Sequence, residues 1–479
     1  TKRVAGLRRG HPPRRRALRR SRVGDMLAPV RAAAVRTPRS RCGPAALGSD
    51  ANGHCKGAMS DRDEHYDSLE TRDDATRERE LAQALPRQIE HAKSASAGFA
   101  EILDGVDPEQ VTTRAALARL PVIRKDDVMA RQEQAPPLGG LNATEVGQMA
   151  RLFASPGPVY EPQAERDDFW RTGRAFFAAG FRRGQVLHNC FSYHLTPGGW
   201  IMDGGARALG CPVVPAGVGQ TEQQVQAIQQ FRPAGFTGTP DYLKVLLDKA
   251  DELGTDASSI ERALVTGGPL FPSLRQEYAD RGVRVLQCYA TADLGLVAYE
   301  TADADGAANP GMVVDERVVV EIVRPGTDDP VADGEVGEIV VTLLAPDYPL
   351  VRFGTGDMSA VLPGQSPCGR TNMRIKGWMG RADQTTKVKG MFVHPRQVAA
   401  ATDRHPEIAK ARLVVEREGQ QDTMTLVCEV AGGDEALANR IAESLREACK
   451  LKGAVAFVAP GELPNDGKVI DDQRPQGDG

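Results

Sequence analysis

The residues best suited to chemistry stand on loops in the last third of the 479-residue chain: Arg352-Phe353-Gly354-Thr355-Gly356-Asp357, Gly380-Arg381-Ala382-Asp383, Lys387-Val388-Lys389-Gly390 and a late Gly467-Lys468. An aspartate after a tight Thr-Gly turn can accept both hydroxyls of a ribose, and the planar guanidinium of Arg381 can neutralise ribose or phosphate oxygens. Asp383 reads as a backbone hinge, or as a solvated loop acid. Further back, Ser155-Pro156-Gly157-Pro158 could lay backbone N–H groups against a phosphate, or be only a turn. Two runs, one ending in Gly267-Gly268 and the other in Tyr289-Ala290-Thr291-Ala292-Asp293, read as strands that finish in small residues, where a flat ring can approach the backbone. Tyr289 could then stack on a purine, Thr291 reach a phosphate and Asp293 hold magnesium through oxygen. The alternative is a core-edge tyrosine and a turn-capping aspartate.

These loops need a frame. From Met59 to about 130, apolar residues recur at three- and four-residue spacing and predict helices. From 170 the chain alternates, with helices expected at 169–179, 198–209, 223–231, 242–253 and 273–280. Short strands are expected near 186–187, 212–214, 235–237, 263–265 and 283–286. Such alternation implies a largely parallel, helix-covered sheet with ligands where its strands end. From 312, strand-rich stretches separated by turn residues predict an antiparallel subdomain, and after Gly380 a small α/β unit follows.

Length allows two or more domains with sizeable cores. The net charge of -4 conceals an asymmetry: residues 1–58 hold about fifteen Lys and Arg against Asp25 and Asp50, near +13, which leaves the rest near -17. That arm, with scattered Pro and Gly and no apolar periodicity, reads as disordered. The chain starts at Thr1, and an acidic segment resembling an enzyme start follows Met59. The arm is therefore expected to be a start-site artefact or nonfunctional extension, with a targeting or interaction arm as the alternative. An acidic body argues against nucleic acid as its partner. No stretch of about twenty apolar residues suggests a membrane span. Eight scattered cysteines with no C-x-x-C pair suggest reduced thiols and a cytoplasmic location, and no zinc spacing is present.

Taken in order, the Tyr289–Asp293, Thr355-Gly356-Asp357, Gly380–Asp383 and Lys389-Gly390 motifs, with the stretch 189–199, Thr239-Pro240-Asp241-Tyr242 and Pro367-Cys368-Gly369-Arg370-Thr371, resemble the phenylacetate-CoA ligase family of adenylate-forming enzymes over about residues 60–472. The resemblance implies a large N-terminal AMP-binding domain (59–380) with parallel sheets and a β-rich subdomain, and a small mobile C-terminal α/β lid (381–479). It implies ATP, Mg2+, coenzyme A and a small, aromatic carboxylic acid, joined through an acyl-adenylate. Carried over by position, Tyr289 would stack on adenine beside Gly267, Gly268 and Ala290, and Asp357 would bind ribose. Ser155, Gly157 and Thr291 would meet phosphates, Arg381 ribose or phosphate, Asp293 the metal, and Tyr193 and His194 the acyl group. Lys468 would be the adenylation cation, Asp383 the hinge, and Lys389 and Gly390 the CoA face. Tyr193 and His194 read equally well as core residues beneath a helix.

This chain departs from the family pattern in three places. Its phosphate loop lacks the usual Gly-Lys-Pro lysine, for which Arg151 and Arg171 are candidate substitutes. Asp293 stands for the usual Glu, and Ala290 for the Gly before it. Cys368 lacks the partner cysteines that hold zinc in some relatives. Transfer to an acceptor other than CoA, or silent nucleotide or acyl-adenylate binding, are the other readings.

Overall fold

A computed structural model describes residues 64–155, 159–382, 384, 386–418, 421–463 and 469–474. The basic arm, Gly157, Asp383, Gly467 and Lys468 lie outside these residues.

The amino-terminal helices follow the expected periodicity. Asp74–Ala95 buries Leu81, Leu85 and Ile89 on one face, and its cap Asp73 accepts from the Thr76 N–H at 2.8 Å. Two strand residues, β1 (Ile123–Arg124), lead directly into the helix Lys125–Gln134. The hairpin of β2 (Met149–Ser155) and β3 (Val159–Ala164) follows, with Phe153 opposite Glu161 and Ser155 opposite Val159. Periodicity gave no sign of it, because β3 is buried almost throughout rather than alternating.

The alternating region then forms as expected. β4 (Leu187–Asn189), β5 (Val213–Pro215), β6 (Gly235–Gly238), β7 (Arg262–Val265) and β8 (Arg284–Thr291) pair in parallel, in the spatial order 8-7-6-4-5. Helices Gly198–Ala208, Thr221–Phe231, Pro240–Leu253 and Pro272–Asp280 connect them. The helix expected at 169–179 is only Gly173–Ala178, because Asp168 and Arg171 adopt positive φ just before it.

The sheet does not end at β8. β9 (Gly295–Tyr299), β10 (Met312–Val314), β14 (Val361–Leu362) and β15 (Arg374–Ile375) extend it antiparallel to nine strands. β11 (Val318–Val323), β12 (Gly337–Leu343) and β13 (Phe353–Ser359) build the expected antiparallel sheet. Its far edge is β1, running parallel to β13 with Ile123 opposite Phe353. Arg352, from the run that carries Asp357, is wholly buried in structural work. It forms a bidentate pair with Glu321 at 3.0 and 3.1 Å and also donates to the Leu120 and Asp328 carbonyls.

The carboxy-terminal residues have their own α/β core. β18 (Ile408–Glu418) and β19 (Gln421–Val430) form a hairpin flanked in parallel by β20 (Ala454–Val458) and β21 (Ile470–Asp472). Leu437, Ile441 and Leu445 of the helix Glu435–Cys449 pack on that sheet. A small hairpin, β16 (Thr386–Val388) and β17 (Met391–Val393), precedes it. Among the described residues no helix is long and apolar enough to cross a membrane.

Candidate active site

The site is centred on Asp357 near the end of β13. The Thr355 hydroxyl donates to the Ile339 carbonyl and accepts from the Asp357 N–H at 3.1 Å, which fixes the backbone at the carboxylate. Oδ2 accepts from the Tyr289 hydroxyl at 2.7 Å, and Oδ1 accepts from Arg381 Nη1 and from Trp378 Nε1, both at 3.0 Å. Arg381 Nη1 also donates to the Thr355 carbonyl at 3.0 Å. Gly356 makes this approach possible: its φ is +72°, and a Cβ there would lie 2.6 Å from Arg381 Nη2. Tyr289 is buried, and burial beside the Asp357 carboxylate holds its phenol well above the ordinary range.

A second cluster adjoins the first. Because β1 is paired to β13, the helix that follows starts beside the site, and its first residue, Lys125, sets Nζ 3.2 Å from Asp293 Oδ2. Asp293 lies in the β8–β9 turn, where the Thr291 hydroxyl accepts from the Leu294 N–H at 3.2 Å. Burial alone would lower the Lys125 ammonium, yet Asp293, aided by Asp357 and opposed by Arg381, keeps it above its usual value. At the tip of β2, the Ser155 hydroxyl donates to Glu161 Oε2 at 3.0 Å. Glu161 is buried, and burial together with the Asp293 carboxylate pushes its acid up to about 8 against the pull of Ser155 and Lys125. Lys125, Glu161 and Trp378 carried no sequence signal of their own. A lysine opening a helix and an acid in a strand both read as ordinary surface residues.

The expected cationic substitutes are committed elsewhere. The Arg151 guanidinium lies 3.9 Å over the Trp200 ring and donates to Gln163 at 3.0 Å. Arg171 is paired with Asp315 at 3.1 Å and caps the Leu294 and Leu296 carbonyls. Among the described residues no group of three or more His, Cys, Asp or Glu could hold a metal by itself. A cation at Asp293 would therefore need further oxygens from a ligand.

Gly267 and Gly268 follow β7, as expected. Lys387 Nζ of β16 donates to the Gly267 carbonyl at 2.8 Å, and Gln287 donates to that of Gly268 at 2.9 Å. Lys387 thus reaches this loop, and burial, opposed by Asp241, lowers its ammonium. Lys389 is exposed, has φ +49° and gives its N–H to Asp422, and Gly390 is likewise exposed. Ala290 and Thr291 are half-buried at the end of β8. The Tyr193 hydroxyl donates to Asp203 at 3.3 Å and accepts from Asn189 at 2.7 Å. Its ring meets Trp200 edge-on at 5.2 Å in an open cavity of about 640 Å³. His194 is exposed, away from that cavity's lining, and its N–H donates to Ser192. The Ala154 N–H donates to the Leu195 carbonyl at 2.9 Å, which ties this loop to β2.

The comparisons agree with this frame. The family model for AMP-binding enzymes matches residues 184–342. The phenylacetate-coenzyme A ligase of Thermus thermophilus is 31% identical over 76% of this chain and 88% of its own length. That of Aromatoleum evansii is 30% identical over 68% of this chain and 75% of its own. Among solved structures, a 2-hydroxyisobutyryl-CoA ligase in complex with 2-HIB-AMP and CoA has the same fold, with a TM-score of 0.72 at 23% identity over 85% of this chain and 91% of that one. On the strength of the Thermus thermophilus relative, the chain belongs to the phenylacetate-CoA ligase family of AMP-binding enzymes, which are AMP-forming acid–thiol ligases.

Proposed function

We propose that this protein activates a small aromatic carboxylic acid with ATP and passes the acyl group to coenzyme A. The carboxylate oxygen attacks the α-phosphorus of ATP and expels pyrophosphate. The CoA sulfur then attacks the acyl carbonyl carbon, loses its proton, and AMP departs with the bonding electrons. The observation that carries the reading is the Asp357 carboxylate with Tyr289, Trp378 and Arg381 on it, beside the Lys125–Asp293 pair. The names of the relatives support the aromatic acid and CoA.

In this reading Asp357 accepts the ribose hydroxyls, and Tyr289, Ala290, Gly267 and Gly268 line the adenine. Ser155 and Gly157 donate to phosphate. Lys125 takes over the role of the lysine that the phosphate loop lacks. Negative charge grows on the phosphoryl oxygens as the carboxylate attacks, and a preorganised ammonium beside them stabilises that charge more than it stabilises bound ATP. Magnesium, held by Asp293 near Thr291 together with phosphate oxygens, would screen the same charge when bound. Lys468 is the second adenylation cation. Residues 381–479 act as a lid hinged near Asp383, carrying Lys468 away and bringing Lys389, Gly390 and Lys387 to the thioester-forming face. Tyr193 and the cavity beside Trp200 receive the acyl group.

Phenylacetate-dependent exchange of labelled pyrophosphate into ATP tests the first step, with benzoate and a short fatty acid alongside. Exchange with phenylacetate is expected. The lysine-free phosphate loop with Glu161 behind it favours a second reading, a nucleotide binder without catalysis. A folded protein that binds ATP yet exchanges with none of the acids would favour that one, or an acid other than these three.

A further inference from the structure

The loop 366–372 closes over the amino-terminal segment. The Thr371 N–H donates to the Glu70 carbonyl at 2.9 Å and its hydroxyl to that of Arg72 at 2.6 Å, while Arg77 donates to the same hydroxyl at 2.8 Å. The cysteine in this loop differs from the others described. Cys190, Cys211, Cys288, Cys428 and Cys449 are buried, and burial raises each of their thiols. Cys368 is only half-buried, with Ser366 Oγ 3.1 Å and Arg370 Nη1 3.3 Å from its sulfur.

Arg370 is the second observation. It is only 4% exposed, its Nε lies 3.1 Å from Glu70 Oε1, and its Nη2 has no hydrogen-bond partner among the described residues. A buried guanidinium donor with no acceptor is unfavourable, and this one sits on the group that already touches a sulfur. Burial would raise the Cys368 thiol, but hydrogen bonds from Ser366, Thr301 and Arg370 outweigh it and bring the thiol below its ordinary value. Facing the loop are also Glu70, which accepts from the Tyr299 hydroxyl, and the His65 ring, whose Nε2 is 3.1 Å from the Cys368 carbonyl oxygen.

We infer that Cys368 is a site of oxidation by hydrogen peroxide, with Ser366 and Arg370 holding the sulfenate that forms. The thiolate sulfur attacks one peroxide oxygen and the O–O bond breaks. The other oxygen leaves as hydroxide and takes a proton to become water. Sulfur loses two electrons and peroxide gains them. The new oxygen on sulfur is a further acceptor beside the Arg370 guanidinium, whose Nη2 has none among the described residues.

The test treats the full chain with equimolar hydrogen peroxide, traps sulfenate with a cyclic diketone and quantifies each cysteine peptide. Trapping at Cys368 is expected about tenfold faster than at any of the five buried cysteines, in line with a larger thiolate fraction and better access. Ser366→Ala removes one donor without disturbing the Arg370–Glu70 pair, and serves where Arg370→Met does not fold. It should slow trapping about threefold and move the pH midpoint of iodoacetamide alkylation upward, a rough scale for losing one hydrogen bond to a charged sulfur. Trapping at the rate of the buried cysteines overturns the inference. So does a Ser366→Ala protein whose trapping rate and alkylation midpoint match the parent.

Discussion

Replacing Lys125 with methionine keeps the length and apolar stem of the side chain and removes its charge. At 3.2 Å from Asp293, the Coulomb energy of a unit pair is about 5 kcal/mol at an effective dielectric of about 20, and about 1.3 kcal/mol in bulk water. The lysine side chain is 37% exposed and that of Asp293 3%, so the interaction falls between these limits. A phosphoryl oxygen with growing charge at a similar distance would lose a comparable amount. A loss of roughly 2 to 3 kcal/mol slows adenylation about 30- to 150-fold. The assay is phenylacetate-dependent pyrophosphate–ATP exchange at saturating ATP, with thermal unfolding run beside it to confirm that the variant is folded. Lys125→Arg should keep most of the rate. A folded Lys125→Met protein that exchanges within twofold of the parent would refute the assignment of Lys125 as the replacement cation.

Asp357→Asn removes the charge shared by Arg381, Trp378 and Tyr289, and should weaken AMP binding about 10- to 150-fold by calorimetry; unchanged affinity removes Asp357 from the ribose site. Gly356→Ala sets a Cβ 2.6 Å from Arg381 Nη2 in a left-handed conformation, so a loss of about 1–2 kcal/mol in denaturant unfolding is expected, together with weaker AMP binding. Glu161 takes up its proton near pH 8 when folded against an ordinary 4.5, so the native state binds more protons between those values and stability falls as pH rises through that window, by at most about 1.4 kcal/mol per unit. Glu161→Gln should flatten that slope and leave the protein more stable at pH 8; equal slopes would count against a buried neutral Glu161. Lys468→Ala should abolish exchange while leaving ATP binding in place, and exchange at the parental rate would remove Lys468 from the adenylation step.

The parts of the site that the sequence revealed are those built by local chain geometry. Asp357 could be found because its Thr-Gly turn is contiguous, and Tyr289, Thr291 and Asp293 because they end one strand and turn into the next. The parallel strands from β4 to β8 were legible for the same reason: each is a short apolar run, and β4 to β7 are each followed by their own helix. Lys125 was not legible. Its position depends on β1 pairing with a strand about 230 residues later, and no window of sequence contains both partners. Arg151 and Arg171 were visible as cations, but the directions of their side chains are set by Trp200 and Asp315, which lie on other elements. The extension of the nine-stranded sheet by β10, β14 and β15 was hidden likewise, since strand type can be read locally and strand partner cannot.

The pairing of β1 with β13 also sets an order of events during biosynthesis. The ribosome releases Lys125 early, yet among the described residues the only strand partnered with β1 begins at Phe353, so the helix that carries the ammonium waits for the far end of the sheet. At about 5 to 20 residues per second, that gap is roughly 10 to 50 seconds of translation. Throughout it β1 lacks the strand it pairs with, and the cluster that holds Leu120 and Val128 lacks the residues that β11, β12 and β13 supply. The parallel strands are therefore made before this edge of the second sheet can close, and the chain gains its charged centre only as residues 353–381 emerge.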